Sequence, residues 1–167
     1  MNAKQGNWIS AAVAMVAIVA AACAGAPAHA ADDHHHGAAT PTKLSLDQGR
    51  KWPTDESLRN GMSRIRGIVE PQLGAAHAGK LQPAQYRELA TKVEAEVGTI
   101  VAKCKLEPKA DAMLHLVIAQ LGAGTDAMAG KDTKRRPVQG LAQVAQAVND
   151  YGRYFDDPGF KPIHDGH

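Results

Sequence analysis

The chain has 167 residues, of which 44% are hydrophobic, 4% aromatic and 22% charged, with 19 basic side chains (Lys and Arg) and 17 acidic ones. This near balance of charge argues against a nucleic-acid-binding surface, because neutralising phosphates requires an excess of lysine and arginine. The length suffices for one domain with its own hydrophobic core, and the composition favours helices.

Residues 1–30 have the pattern of a secretory signal peptide. Lys4 supplies a positive start, residues 9–23 are apolar, and Ala28-His29-Ala30 is a small-x-small cleavage signal. An alternative is a lipoprotein cut just before Cys23. We expect export to the periplasm, with no membrane attachment after processing.

Residues 31–53 are predicted to form a flexible leader, because they have no apolar period of either kind. Within this stretch His34, His35 and His36 are adjacent. Such a run can bind Cu(II), Ni(II) or Zn(II), and the alternative is a solubilising leader without a metal. Removal of the signal peptide leaves Cys104 without a second cysteine, so no internal disulfide can form.

The first helix is predicted at residues 54–78, with Thr54 as its N-terminal cap. Pro71 lies inside this helix. A proline there removes a backbone hydrogen bond, so we predict a kink at residues 67–71. The helix is expected to continue because apolar residues stay in phase on both sides of the proline: Leu58, Met62, Ile65, Val69, Leu73 and Ala76.

Three more helices are predicted at residues 83–105, 108–129 and 137–156, each beginning at a proline. In the third helix the expected buried stripe comprises Leu114, Ile118, Leu121, Thr125 and Met128. Four helices with short links and no strand pattern predict an all-α fold, an antiparallel up-down-up-down four-helix bundle over residues 54–156, followed by a tail at 157–167.

Several candidate ligands fall in one layer of such a bundle. Met62 lies ~12 Å and His115 ~11 Å from the starts of their helices, and Tyr151 lies ~8 Å from the end of the fourth helix, at about 1.5 Å per residue. Cys104 is predicted near the end of the bundle at which the first and third helices start and the fourth helix finishes. Met113 is on the same helical turn as His115. Together the thioether, imidazole and thiol groups are a soft ligand set that suits copper as Cu(I).

The sequence Leu58-Arg59-Asn60-Gly61-Met62, and the sequence from Asn149 to Tyr154, resemble the soluble cytochrome b562 family of periplasmic four-helix bundles. The resemblance implies a haem with Met62 as an axial ligand. Where the family places its histidine ligand, this chain has Gly152. A haem would therefore need His115 as the substitute. The chain has no Cys-x-x-Cys-His motif, so haem b rather than covalently attached haem is expected.

Each of these residues has a simpler interpretation. Met62 can be ordinary core packing. His115 can be a boundary residue hydrogen-bonded to Asp111 one turn earlier, and Cys104 can be a small buried hydrophobic residue.

No catalytic motif is recognisable, so we expect no enzyme. The first functional hypothesis is a periplasmic cytochrome b562-like protein that binds haem or copper and serves electron transfer or metal handling. The alternative is a cofactor-free interaction or structural protein on the same scaffold. Either would act with a periplasmic protein partner, as a monomer or a homodimer.

Overall fold

The computed structural model describes residues 41–164, and its regular elements in that range are helical. Strand pairing there is limited to two isolated bridges. The predicted all-α class is confirmed. The helices are α1 at Glu56–Val69, α2 at Leu73–His77, α3 at Pro83–Lys103, α4 at Pro108–Ala129 and α5 at Pro137–Tyr154, with a 3-10 turn at Glu70–Gln72 between α1 and α2.

Helix α1 is capped by Asp55, so the prediction of Thr54 as the cap is wrong by one residue. The Asp55 carboxylate accepts a hydrogen bond of 2.7 Å from the Leu58 amide, which would otherwise lack a partner at the helix start. It also accepts a bond of 2.6 Å from the amide of Lys105, just after α3. The Thr54 hydroxyl instead donates to the Asp156 carbonyl at 2.6 Å.

The 3-10 turn contains Pro71, which has no amide hydrogen to continue the α-helical pattern. Val69 before the turn and Leu73 after it are both buried. The backbone therefore changes its hydrogen bonding at the proline, while the apolar face continues from α1 into α2.

The core takes one apolar face from each of the long helices. Helix α4 packs most extensively on α5, and α1 lies mainly against α3. The largest fully buried side chains are Tyr151, Phe155, Leu58, Met62, Ile65, Ile100, Leu121, Met128 and Leu141.

Two glycines let α4 and α5 approach closely. A Cβ built on Gly124 would lie 2.9 Å from the Gly140 carbonyl oxygen, and one built on Gly140 would lie 2.8 Å from the Met128 amide nitrogen. Both neighbours are backbone atoms that cannot rotate away. A methyl group at either position would therefore force the helices apart.

Residues 44–53, the N-terminal segment, are packed on the helices, which corrects the predicted leader boundary at residue 53. Trp52 is 8% exposed and forms a bridge with Phe155. Its amide donates to the Tyr154 carbonyl, and its indole Nε1 donates to the Ser45 carbonyl at 2.6 Å. Burying the large indole provides the hydrophobic stabilisation that orders this stretch. Residues 31–40 of the predicted leader lie outside the described residues.

Residues 155–164, the C-terminal segment, also pack against the helices. The Asn149 side chain accepts from the Ile163 amide at 2.8 Å and donates to the Ile163 carbonyl at 2.9 Å. Ile163 is buried, and the ring of Phe160 meets that of Tyr151 edge-on with centroids 5.7 Å apart. The core therefore extends beyond the end of α5.

Replacing Gly140 with alanine is expected to lower the free energy of unfolding by about 1–3 kcal/mol, the usual cost of overpacking. The matched control is Gly122→Ala in α4, where a new Cβ meets no atom within 4 Å. That change should raise stability by about 0.5–1 kcal/mol, because alanine is the better helix former. Urea unfolding curves give both values. Equal effects of the two substitutions would contradict the close approach of α4 and α5.

Replacing Asp55 with alanine is expected to cost about 0.5–2 kcal/mol at pH 7 through loss of the helix cap. Burial alone would raise the pKa of this carboxyl, but hydrogen bonds from Leu58, Lys105 and Cys104, together with the Arg59 charge, hold it below the ordinary value of 3.8. Because the folded-state pKa is the lower one, the charge contributes fully above about pH 4 and is lost as pH falls through the folded-state value.

The difference in stability between the native protein and Asp55→Ala should therefore shrink below pH 4. Asp55→Asn is the matched variant, since asparagine can still cap the helix without a charge. Thermal melts of the three proteins from pH 7 to pH 2 test this. A difference that stays constant with pH would show that the Asp55 charge contributes nothing.

Candidate functional site

Met62, the predicted axial ligand, lies inside the core and is 1% exposed. A Cβ added to the neighbouring Gly61 would overlap the Ile100 side chain, so α1 and α3 are in close contact at this level. The Met62 side chain belongs to the same buried cluster as Leu58 and Ile65. This environment is that of a packed core methionine.

His115, the predicted second ligand, lies on the surface with 63% of its side chain exposed. Its Nδ1 is 2.9 Å from the Asp111 carbonyl oxygen and 3.4 Å from the Asp111 carboxylate. The imidazole therefore has Asp111 as its partner, as expected if His115 is an ordinary boundary residue. The structure does not bring His115 to the buried Met62, and this pair does not fit a haem held between them.

Tyr151 is fully buried, and its hydroxyl donates to the Asp157 carboxylate at 3.0 Å. The ring stacks on Phe155 with centroids 5.4 Å apart. Burial, followed by the charge and hydrogen bond of Asp157, raises the pKa of this phenol far above its ordinary value of 10. Tyr151 is therefore neutral, and its hydroxyl hydrogen is already bonded to Asp157.

Gly152 is the residue that stands where the resemblance to cytochrome b562 leads one to expect a histidine ligand. The aromatic ring of Phe160 lies directly on this glycine, so that any Cβ at residue 152 would overlap the ring. A side chain could be placed there only if the Phe160 ring moved away. The glycine therefore makes room for Phe160.

Cys104 and Met113, the predicted sulfur ligands, have separate partners. Burial, then the charge of Asp55 and a hydrogen bond to it, raise the pKa of the Cys104 thiol to about 12. The thiol therefore stays protonated near neutral pH in the metal-free protein. Met113 is buried, and its sulfur accepts a weak hydrogen bond from the Ser45 hydroxyl at 3.9 Å.

Residues 41–164 contain no group of three or more His, Cys, Asp or Glu side chains placed to hold a metal ion. The predicted cluster of His34, His35 and His36 lies outside the described residues. It remains a prediction.

An open groove of about 810 Å³, which was not predicted from the sequence, lies between α1 and the C-terminal segment. Residues three and four apart in a helix share a face. Arg59, Ser63 and Arg66 have this spacing, and they form the α1 wall. The opposite wall includes Asp156, Phe160 and Lys161. The helical spacing of Arg59, Ser63 and Arg66 could have been read from the sequence, but the packing of the opposite wall could not.

No family model, no curated protein and no solved structure matches this chain. The resemblance to cytochrome b562 therefore depends only on the short residue patterns around Met62 and Tyr151. Within residues 41–164, none of the helices has the length and apolarity needed to cross a bilayer.

Cys104 is expected to react about 100-fold more slowly with iodoacetamide at pH 8 in the folded protein than in urea, because its raised pKa leaves little thiolate. Asp55→Ala should speed the reaction, since the Asp55 charge helps to raise that pKa. Mass spectrometry of the Cys104 peptide distinguishes it from Cys23. Equal rates with and without urea would contradict the protonated, shielded thiol.

Proposed function

We propose that this chain is an exported, cofactor-free helical-bundle protein that acts through its surface on a periplasmic protein partner. The observation that carries the proposal is the Phe160 ring on Gly152. The chain's own aromatic side chain occupies the space that a ligand at residue 152 would need. Haem and copper binding in the bundle, the other hypothesis, finds no converging ligands in Met62 and His115.

The packing of the core supports the same proposal. The three residues expected to surround a cofactor are satisfied within the protein: Met62 by apolar neighbours, Tyr151 by Asp157 and His115 by Asp111. A scaffold of this size with a filled core does not need a cofactor for stability.

We also propose the up-down-up-down topology for this bundle. The start of α1 is bonded through Asp55 to Lys105, which follows the end of α3. Trp52, four residues before the first residue of α1, is paired with Phe155 just after the end of α5. At the other end, Arg135 before α5 donates to the Ala123 carbonyl near the end of α4 at 2.7 Å. These contacts support helices that alternate in direction.

The proposed periplasmic location depends on residues 1–30. A positive start, an apolar run and Ala28-His29-Ala30 together form a cleavable export signal. Amino-terminal sequencing of the exported protein tests this. A chain that begins at Ala31 supports the proposal, and a lipid-modified chain that begins at Cys23 would replace it with the lipoprotein alternative.

Exported protein from haem-replete, copper-supplemented cells is expected to show no Soret band and, after dialysis, no more metal than the histidines of the leader bind. It should nevertheless unfold in one cooperative thermal transition, as a packed single domain does. A variant with His34, His35 and His36 replaced by alanine separates binding by the leader from binding by the bundle. A Soret band, or stoichiometric copper in this variant, would overturn the cofactor-free proposal.

A further inference from the structure

The last part of the C-terminal segment, residues 158–164, is attached to the helices through two side chains. Phe160 is partly buried and Ile163 is 3% exposed, whereas the other residues of this stretch are exposed. Open cavities of about 810 Å³ and about 400 Å³ adjoin the stretch, and Phe160 lines both of them. Residues 158–164 are therefore held by two anchors with open space beside them.

Asn149 of α5 holds this stretch by its backbone. The side-chain Oδ1 accepts from the Ile163 amide at 2.8 Å, and the side-chain Nδ2 donates to the Ile163 carbonyl at 2.9 Å. An amide side chain has one acceptor and one donor group, so it can pair with both polar groups of one backbone residue. These two bonds do not depend on the identity of the bound side chain. Any residue other than proline could form them.

The two anchors give the surface its preference for particular side chains. The Phe160 ring covers Gly152 and meets the Tyr151 ring edge-on, with centroids 5.7 Å apart. Ile163 is buried three residues further along. Residues three apart share a face in an extended chain of the polyproline type, which Pro162 favours. The surface therefore fits an extended segment with an aromatic residue followed three positions later by an aliphatic one.

Residues 158–164 can detach without unfolding the helices. The chain just before them is fixed separately, because the Asp157 carboxylate accepts from the Tyr151 hydroxyl at 3.0 Å. Pro158 and Gly159 then form an exposed turn. Stretches with few buried contacts open locally at a fraction of the free energy of global unfolding. Opening at this turn would uncover the surface on α5 and leave the helix in place.

We propose that the surface formed by Asn149, Tyr151 and Gly152 binds an extended segment of a partner protein, and that residues 158–164 occupy it as an internal competitor. The aromatic residue of the partner segment covers Gly152, its aliphatic residue replaces Ile163, and its backbone pairs with Asn149. This inference rests on the proposed function, which it deepens by naming where a protein partner binds and what kind of segment it presents.

A peptide and a variant with a vacated surface test this inference on the full-length exported protein. The probe is the labelled peptide Pro-Gly-Phe-Lys-Pro-Ile-His, the sequence of residues 158–164. The variant carries Phe160→Ser and Ile163→Ser, which remove both anchors. Fluorescence anisotropy should show at least about tenfold tighter binding to this double variant than to the native protein, because a tethered competitor acts at an effective concentration on the order of millimolar. Equal affinities, or no saturable binding to the double variant, would overturn the inference.

Substitutions in the double variant show which contacts the peptide uses. Asn149→Ala should weaken the peptide about tenfold, because two backbone hydrogen bonds are lost. Gln146→Ala, one turn earlier in α5, is the matched control, since the Gln146 amide pairs with Asp150. A peptide with serine in place of phenylalanine and isoleucine should not bind. Equal losses in Asn149→Ala and Gln146→Ala would contradict the proposed surface.

Hydrogen exchange of the native protein is a second measurement, which does not depend on the folding of the double variant. Detachment exposes the Ile163 amide, which Asn149 holds, but it leaves the buried Val148 of α5 protected. The Ile163 amide should exchange at least about 100-fold faster than that of Val148, with little dependence on urea below the unfolding transition. Equal protection would overturn the inference, because a stretch that leaves only on global unfolding cannot yield to a partner.

Two further results separate this inference from other proposals. Sedimentation at rising concentration could show dimers of the native protein that the double variant does not form. A second copy would then be the occupant, through exchange of the segment, and the assignment to a different protein would be overturned. A Soret band would overturn the cofactor-free function, whereas the peptide affinities test only the surface on α5, so the two failures are distinguishable.

Discussion

The arrangement of one end of the molecule depends on the hydrogen bonds that the Asp55 carboxylate accepts. It accepts hydrogen bonds from the Leu58 amide at the start of α1 and from the Lys105 amide just beyond α3, so one charged group joins the start of one helix to the chain that follows another. The segments before α1 and after α5 are also joined at this end, because the Trp52 carbonyl accepts a hydrogen bond from the Asp156 amide. The position of the groove walls follows from these bonds.

The helices could be predicted from the sequence because their signals are local. Pro83, Pro108 and Pro137 each stand at a helix start, as expected. The packed segments on either side of the bundle could not be predicted in this way. Trp52 and Phe160 stand in polar, aperiodic stretches, and only the surface that they cover explains why they are ordered. Periodicity detects a helix face, but it does not detect a single aromatic anchor.

The candidate haem site shows a second limit of sequence reasoning. The rise of 1.5 Å per residue gives the height of a residue along its helix, but its direction around the axis needs the phase of the buried face. In α4 four residues of the predicted stripe, Leu114, Leu121, Thr125 and Met128, are buried and Ile118 is partly buried, while the buried face also takes in Met113 and Val117. His115 falls between Leu114 and Val117 along the chain, and its side chain points outward.

The C-terminal segment links the closed core to the open groove. Phe160 packs on Gly152 and meets the Tyr151 ring, which fills the space above the end of α5. The same residue lines the groove beside Asp156, so the contact that extends the core also forms part of one groove wall. A methyl group at residue 152 would push Phe160 away from α5. The core and the groove therefore depend on one glycine, and a loss of packing at Gly152 would alter the groove without changing any residue that lines it.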